Sequence, residues 1–280
     1  MRRISCAKVA KTVANLCQEA NLFLPSDVLA SLNYAASREV SPLGQAALSQ
    51  ILENNKIAAE EKIPICQDCG TAVVFLEMGN EVRIISGNLF DAVNEGVRQG
   101  YKDGYLRKSL CHPLTRKNTG DNTPAVIHLY MVPGDKLKII VCPKGGGAEN
   151  MSRLAMLSPS VGKDGIKKFV IGTVEQAGFN SCPPIVVGVG IGGGTFERAA
   201  FLAKKALLRS TNTPNTDGEL NLLEYELYSA INKLGMGPAG LGGSRTALAV
   251  FIGMEPCHIA SLPVAVNINC HAARHKEAIL

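Results

Sequence analysis

Cysteines, glycines and a few cations make up the residues in this chain that could do chemistry, and the cysteines are the most unusual. There are nine. Cys66-Gln67-Asp68-Cys69-Gly70 contains C-x-x-C, the spacing of a redox pair or of half a structural zinc site. A zinc site needs a second C-x-x-C or a His pair at matching distance, and none stands there. A thioredoxin-like pair sits between an early strand and a helix, whereas this one follows helical sequence and precedes a strand. Gln67-Asp68 is too polar for two plain core cysteines. Ser181-Cys182-Pro183-Pro184 places a thiol where two prolines fix the next residues, Asn269-Cys270-His271 closes an apolar strand, and Cys257-His258 lies before that strand. Each is a stiff position at the mouth of an element, as a thiolate ligand requires. Iron–sulfur clusters are held by thiolates, and three protein cysteines leave one iron open to substrate. Spacing alone does not choose among the nine.

A second candidate is Gly188-Val189-Gly190-Ile191-Gly192-Gly193, which satisfies G-x-G-x-x-G between a strand and a helix. That setting can cradle a pyrophosphate on backbone amides and a helix N-terminus. The confirming acidic residue, about twenty positions on at the end of a second strand, is missing. Asp217 lies in a polar loop that leads into a helix. A tight strand-to-helix turn explains the glycines without a ligand.

These groups must be carried by elements that the pattern of the chain predicts. Ile4–Ala20 has apolar residues at helical spacing, Ser26 can cap Asp27–Ala36, and Ser41-Pro42 opens Leu43–Asn54. The texture changes at Ile63. Thr71–Glu77 and Glu81–Ser86 read as strands and Asn88–Gly100 as a helix. Ala125–Val132 and Lys136–Cys142, around Pro133-Gly134-Asp135, read as a β-hairpin. Further helices are predicted over Ile166–Gln176, Phe196–Arg209 and Leu220–Leu234, and strands over Ile185–Val189, Ala247–Ile252 and Pro263–Ile268. The polar loop Thr211–Asp217 is the candidate internal boundary or exposed excursion. The order implies an α+β fold in one catalytic domain over 1–280, with a helical layer at 1–62 and a mixed, hairpin-containing sheet with flanking helices at 63–280.

Composition narrows the function classes. Hydrophobic residues are 46% and charged ones 19% of 280, enough to form a core without disulfides. Net charge is +5, and the basic stretches Lys163–Lys168 and Lys204–Arg209 lack interleaved aromatics, so no nucleic-acid partner is expected. The most apolar window, Ala247–Val266, is broken by Glu255, Pro256 and His258, so no membrane span is expected. No apolar core follows Met1-Arg2-Arg3 as in an export signal. A cytoplasmic, reducing setting follows, in which the cysteines stay free.

Taken together and in order, several motifs carry a resemblance: Ile65-Cys66-Gln67-Asp68 with Gly70-Thr71-Ala72, Tyr105-Leu106-Arg107, Asn118-Thr119-Gly120, the run Pro143–Asn150, Cys182-Pro183-Pro184 and Cys270. The chain resembles the class I fumarate hydratases from about residue 40 onward. Within them it is most similar to the α subunit of the two-subunit form, a group that includes L-tartrate dehydratase α. The resemblance implies a hydro-lyase for a small dicarboxylate, fumarate and malate first, with tartrate as the alternative. It implies that Cys66, Cys182 and Cys270 hold a [4Fe–4S] cluster whose open iron is the Lewis acid. Gln67, Arg107 and the backbone at Gly146 would hold carboxylate oxygens, and Lys144 would be a further anchor. Asp68 would belong to the proton-transfer machinery, and His258 would stand near the reacting hydroxyl.

Hydrating an activated alkene needs a polarised water, a base for the proton on the neighbouring carbon, and cations or amides facing an aci-carboxylate. Arg suits a carboxylate because its planar fork meets both oxygens. The family commonly has Thr where this chain has Cys69. Single-chain relatives continue into another domain, whereas this chain stops ten residues after Cys270. The resemblance therefore implies a separate β subunit that completes the site, in a hetero-oligomer of α and β chains. Two other readings remain open: a nucleotide-dependent oxidoreductase using Gly188–Gly193, and a non-catalytic iron–sulfur or metal-binding module.

Overall fold

A computed structural model describes all 280 residues. From the N-terminus run β1 (Arg2–Ser5), α1 (Cys6–Leu22), α2 (Ser26–Arg38) and α3 (Pro42–Glu61). Then come β2 (Thr71–Gly79), β3 (Val82–Ile85), α4 (Leu89–Asp103), β4 (Val126–Val132), β5 (Leu137–Lys144) and the short α5 (Gly146–Asn150). The rest is β6 (Arg153–Leu157), α6 (Gly162–Ala177), β7 (Ile185–Gly192), α7 (Phe196–Ala206), α8 (Gly218–Asn232), β8 (Ala247–Glu255), β9 (Leu262–Asn269) and β10 (Lys276–Ile279). Helices and mixed sheets give the expected α+β class. No helix is long and apolar enough to cross a membrane.

Helix starts follow local chemistry. The Ser5 hydroxyl accepts from Lys8 N–H, and the Ser41 hydroxyl accepts from Gly44 N–H. Asn88 Oδ1 accepts from Phe90 and Asp91, and Asp217 Oδ1 from Glu219 and Leu220. These side chains satisfy amides that have no intrahelical partner. Thr195 stands at the cap position of α7 but makes no capping bond through its side chain.

Two compact units form, interleaved along the chain. The first takes Met1–Pro25, Asn55–Gly146 and Arg274–Leu280; the second takes Ser26–Asn54 and Gly147–Ala273. The helices of residues 1–62 are thus shared out, α1 to the first unit and α2 to the second. The loop Thr211–Asp217 marks no boundary. It lies inside the second unit, where Thr211 N–H donates to Asp27 Oδ2 at 2.7 Å.

The first unit has a four-stranded sheet in the order β10-β5-β2-β4. Its core joins Val74, Leu76, Ile139 and Val141 of the sheet to Val9, Val13 and Cys17 of α1 and to Val93, Val97 and Tyr101 of α4. The hairpin expected over Ala125–Cys142 does not form. Both strands exist, but β2 lies between them, parallel to β4 and antiparallel to β5. The reason is burial. Ala72–Leu76 is a continuous buried apolar run that takes a central place, whereas β4 alternates and forms an edge. The connection from β4 to β5 passes over the end of β2, with Asn80 N–H donating to Val132 O and Glu81 N–H to Gly134 O.

The second unit has the sheet β6-β9-β7-β8. Ile185, Val187, Val189 and Ile191 face α6 and α8, packing with Val170, Val174, Leu227 and Ile231. The opposite face of β7 carries Gly188 and Gly190, which lie against α7. A Cβ on Gly190 would stand 1.9 Å from Ala199 O, and one on Gly188 would stand 2.1 Å from Ala203 O. The first two glycines of the G-x-G-x-x-G pattern therefore sit inside a strand and let a helix pack closely on it.

Candidate active site

The segment that links α3 to β2 is the most heavily tied loop in the first unit. Ile65 is buried, and its N–H donates to Asn21 O at 2.9 Å. Three consecutive carbonyls beyond it are held by buried side chains from three segments. Asp68 O accepts from Arg274 Nη2 at 2.5 Å. Cys69 O accepts from Tyr101 Oη at 2.7 Å, and Gly70 O accepts from Tyr101 Oη at 3.0 Å and Asn122 Nδ2 at 3.1 Å. Each such bond contributes about 1 kcal/mol net, and a buried carbonyl left unpaired costs more. Gly70 has φ +73°, and a Cβ there would stand 2.8 Å from Lys144 N, so the loop closes onto the end of β5 only with glycine.

This loop places the first-unit residues named from the sequence. Cys66 is half-buried, and its sulfur accepts from Asp68 N–H at 3.4 Å. Gln67 is exposed. Asp68 spreads its carboxylate over two backbone amides, Oδ1 on Gly70 N–H at 2.9 Å and Oδ2 on Gly146 N–H at 2.7 Å. Gly146 is exposed at the first turn after β5, and Lys144, the last residue of β5, is buried. Arg107 is exposed, and its backbone N–H donates to Cys69 Sγ at 3.2 Å. Asn122 Oδ1 accepts from Ser109 and Leu110 N–H, so one side chain fastens both the Gly70 carbonyl and the segment after Arg107. Cys66, Asp68, Arg107, Lys144 and Gly146 are thus brought to one network in this unit.

The two thiols of C-x-x-C differ. Cys69 is 1% exposed; burial pushes its thiol pKa up, with the Arg107 N–H and the Arg274 charge acting against that rise. It stays a neutral thiol that accepts from Arg107 and points toward Cys66 O. Cys66 is less deeply placed, half-buried, with its sulfur accepting from Asp68 N–H.

In the second unit, β7 and β9 are antiparallel with Val186 opposite Asn269. Cys182, before β7, and Cys270, after β9, therefore lie at the same end of the sheet, and His271 N–H donates to Cys182 O at 3.2 Å. Cys182 is exposed with φ +53°, and Cys270 is half-buried. The same end is fastened from below. Glu39 is buried and its carboxylate accepts from the N–H groups of Val40, Ser41, Ser244 and Arg245. Burial alone would raise the Glu39 pKa; the four backbone donors outweigh it and hold the pKa below the ordinary range.

His258 stands elsewhere. β8 runs parallel to β7 with Glu255 opposite Gly192, so Cys257-His258 leave the sheet at the far end. That is the length of β9 away, roughly 25 Å. His258 is exposed, its Nδ1 accepting from Ala260 N–H, and it lines a cavity of about 660 Å³ with Ile191, Leu223, Met254 and Leu262.

None of the nine cysteines is in a disulfide, and no three His, Cys, Asp or Glu side chains gather as ligands of a single ion. A four-iron cluster binds each thiolate on a separate iron, so its ligands stand further apart than those of one ion. Three soft thiols outside any disulfide, with half-buried or exposed side chains, fit such a cluster, whereas a hard divalent cation would want oxygen ligands.

Tyr101, Asn122 and Arg274 were not foreseen from the sequence. The only signals are indirect: Asn122 follows Asn118-Thr119-Gly120, and Arg274 lies four residues after Cys270.

With this geometry established, similarity to known proteins defines the class. Residues 10–279 match the family model described as Fumarate hydratase (Fumerase). The chain belongs to this family, and with it to the hydro-lyases. Among relatives, it is 45% identical over 273 residues to "Putative L(+)-tartrate dehydratase subunit alpha" of Methanocaldococcus jannaschii, covering 95% of each chain. It is 31% identical over 271 residues to L(+)-tartrate dehydratase subunit alpha of Escherichia coli strain UTI89, covering 95% of this chain and 89% of that one.

Proposed function

We propose that this chain is the α subunit of a cytoplasmic, [4Fe–4S]-dependent hydro-lyase that interconverts fumarate and malate, completed by a separate β subunit in a hetero-oligomer. The observation that carries the reading is near end-to-end similarity, 95% of each chain in one case, to proteins named as subunit alpha of a dehydratase. Cys66, Cys182 and Cys270 would hold the cluster. When bound, it supplies a Lewis-acidic iron for the substrate hydroxyl.

The remaining work falls to this chain's own groups and to the partner. Arg107, exposed beside the Cys66 loop, binds a substrate carboxylate through both oxygens, and Gln67 adds an amide donor. The Gly146 amide already holds a carboxylate, that of Asp68, at 2.7 Å; a substrate carboxylate would compete for it and free Asp68 Oδ2 to move a proton. Lys144, buried at the end of β5, would be a further anchor. For His258 to stand beside the reacting hydroxyl it must come from a second copy of the chain, because in its own unit it lies at the sheet end away from Cys182 and Cys270.

A second reading, dehydration of L(+)-tartrate, is favoured by the names of both relatives. Co-production with the cognate β chain, anaerobic cluster loading and a panel of fumarate, malate and L(+)-tartrate separate the two. A cluster-loaded complex that turns over none of the three refutes both, and activity of this chain alone refutes the split site.

A further inference from the structure

Arg274 is a cation buried without an anion. It is 4% exposed, and only one of its nitrogens, Nη2, has a partner, the Asp68 carbonyl. Nε and Nη1 are buried with no hydrogen-bond partner, and no carboxylate pairs with the guanidinium. A guanidinium in this state is strongly unfavourable unless a countercharge compensates it.

The surroundings narrow what that countercharge is. The Asp68 carboxylate is turned away, with one oxygen on Gly70 N–H and the other on Gly146 N–H. Tyr101 donates its hydroxyl to Cys69 O and Gly70 O, and burial keeps it protonated. Cys69 is a buried thiol engaged with Arg107 N–H. The proposed cluster ligand in this loop is Cys66, half-buried and two residues from the carbonyl that Arg274 grips. Asp68 joins the two: its N–H meets Cys66 Sγ and its carbonyl meets Arg274.

We propose that Arg274 is a positioning residue that supplies buried positive charge for the anionic cluster which Cys66 would help to hold. The inference rests on the cluster reading above and adds to it the residue that makes the site electrostatically incomplete when empty. A [4Fe–4S] core on three thiolates is net negative, and positive charge with N–H donors near its sulfurs stabilises it and raises its reduction potential. Arg274 also fixes the Asp68–Cys69 peptide, so charge and geometry come from one side chain.

The metal-free and loaded proteins should respond to loss of this charge in opposite senses. R274M removes an uncompensated charge from the metal-free chain and the countercharge from the loaded chain. The full chain, its R274M and its R274K variants are loaded anaerobically with ferrous iron and sulfide. Loss of the visible absorbance to a chelator, the reduction midpoint and the melting temperature of the metal-free form are then measured. R274M should lose cluster faster by about tenfold or more, the scale typical of groups that support metal ligands, and should show a lowered midpoint. R274K should retain most of the cluster, and metal-free R274M should melt no lower than the parent. Equal retention in R274M and the parent overturns the proposal. So does a melting temperature that falls in metal-free R274M with no change in midpoint, which marks a merely structural residue. A parent chain that takes up no cluster at all overturns the underlying cluster reading instead, and this proposal with it.

Discussion

The two places where cysteines are presented are built differently. In the first unit, the Cys66–Gly70 loop is held by side chains: Tyr101, Asn122 and Arg274 reach its carbonyls from three separate segments. In the second unit, Cys182 and Cys270 are placed by backbone, at one end of a sheet whose register fixes them, with a single carboxylate, Glu39, fastening the neighbouring loop. A loop that carries Gln67 and Asp68 as well as a thiol has no ladder to lean on, and buried polar side chains do that work. A thiol beside a strand end needs fewer, and here Glu39 fastens only the neighbouring loop.

Substitutions should expose this contrast, beginning with the most severe. Asn122 is fully buried and makes three bonds to backbone. Asn122→Ala leaves a carbonyl and two N–H groups without it and opens a small cavity, so a loss of about 3 kcal/mol is expected in chemical denaturation. Glu39→Gln should cost about 2 kcal/mol at neutral pH, because a neutral amide accepts four N–H groups poorly. The pH dependence follows from the sign of its shift. The Glu39 pKa is lowered on folding, so its stabilisation is present above the ordinary glutamate range and is lost as pH falls through the lowered folded value. The parent and Glu39→Gln should therefore converge in stability on acidification. A gap that stays constant down to strongly acidic pH would show that Glu39 is not ionised in the fold.

Tyr101→Phe deletes only a hydroxyl that two carbonyls share, and about 1–2 kcal/mol is expected. At the other extreme, Cys182→Ser changes an exposed side chain and should leave metal-free stability within about 0.5 kcal/mol. It should nevertheless abolish cluster retention, which Cys17→Ser should not. Cys17 is fully buried, and burial pushes its pKa up to about 12, so it has no thiolate to offer. If Cys182→Ser destabilised the metal-free chain as much as Asn122→Ala, the distinction between the two regions would fail.

Much of the secondary structure was legible because apolar periodicity and caps are local. The pairing of strands was less so. Ala125–Cys142 has the look of a hairpin, and only the buried run Ala72–Leu76 between its strands displaces that pairing. The four-residue strands β1 and β10 are too short to show a pattern. The interleaving of the units leaves no mark in the chain, since α3 runs through the junction at Asn54–Asn55 as one unbroken helix. For the site, residue types announced Cys66, Gln67 and Asp68. Their holders were hidden, because a buried Tyr101, Asn122 or Arg274 reads in a sequence like any surface polar residue. The G-x-G-x-x-G pattern misled in the opposite direction: Gly188 and Gly190 are small because α7 packs on them, which no motif distinguishes from a phosphate cradle.

The central claim, that Cys66, Cys182 and Cys270 hold the cluster, is tested most directly by thiol alkylation under anaerobic conditions, read by mass spectrometry with and without the cluster. Cys182 and Cys257 are both exposed, so both should label quickly in the metal-free chain, while buried Cys17, Cys69 and Cys142 should not. Cluster loading should protect Cys66, Cys182 and Cys270 and leave Cys257 as reactive as before. Continued labelling of Cys182 at the rate of Cys257 in the loaded protein would contradict the account.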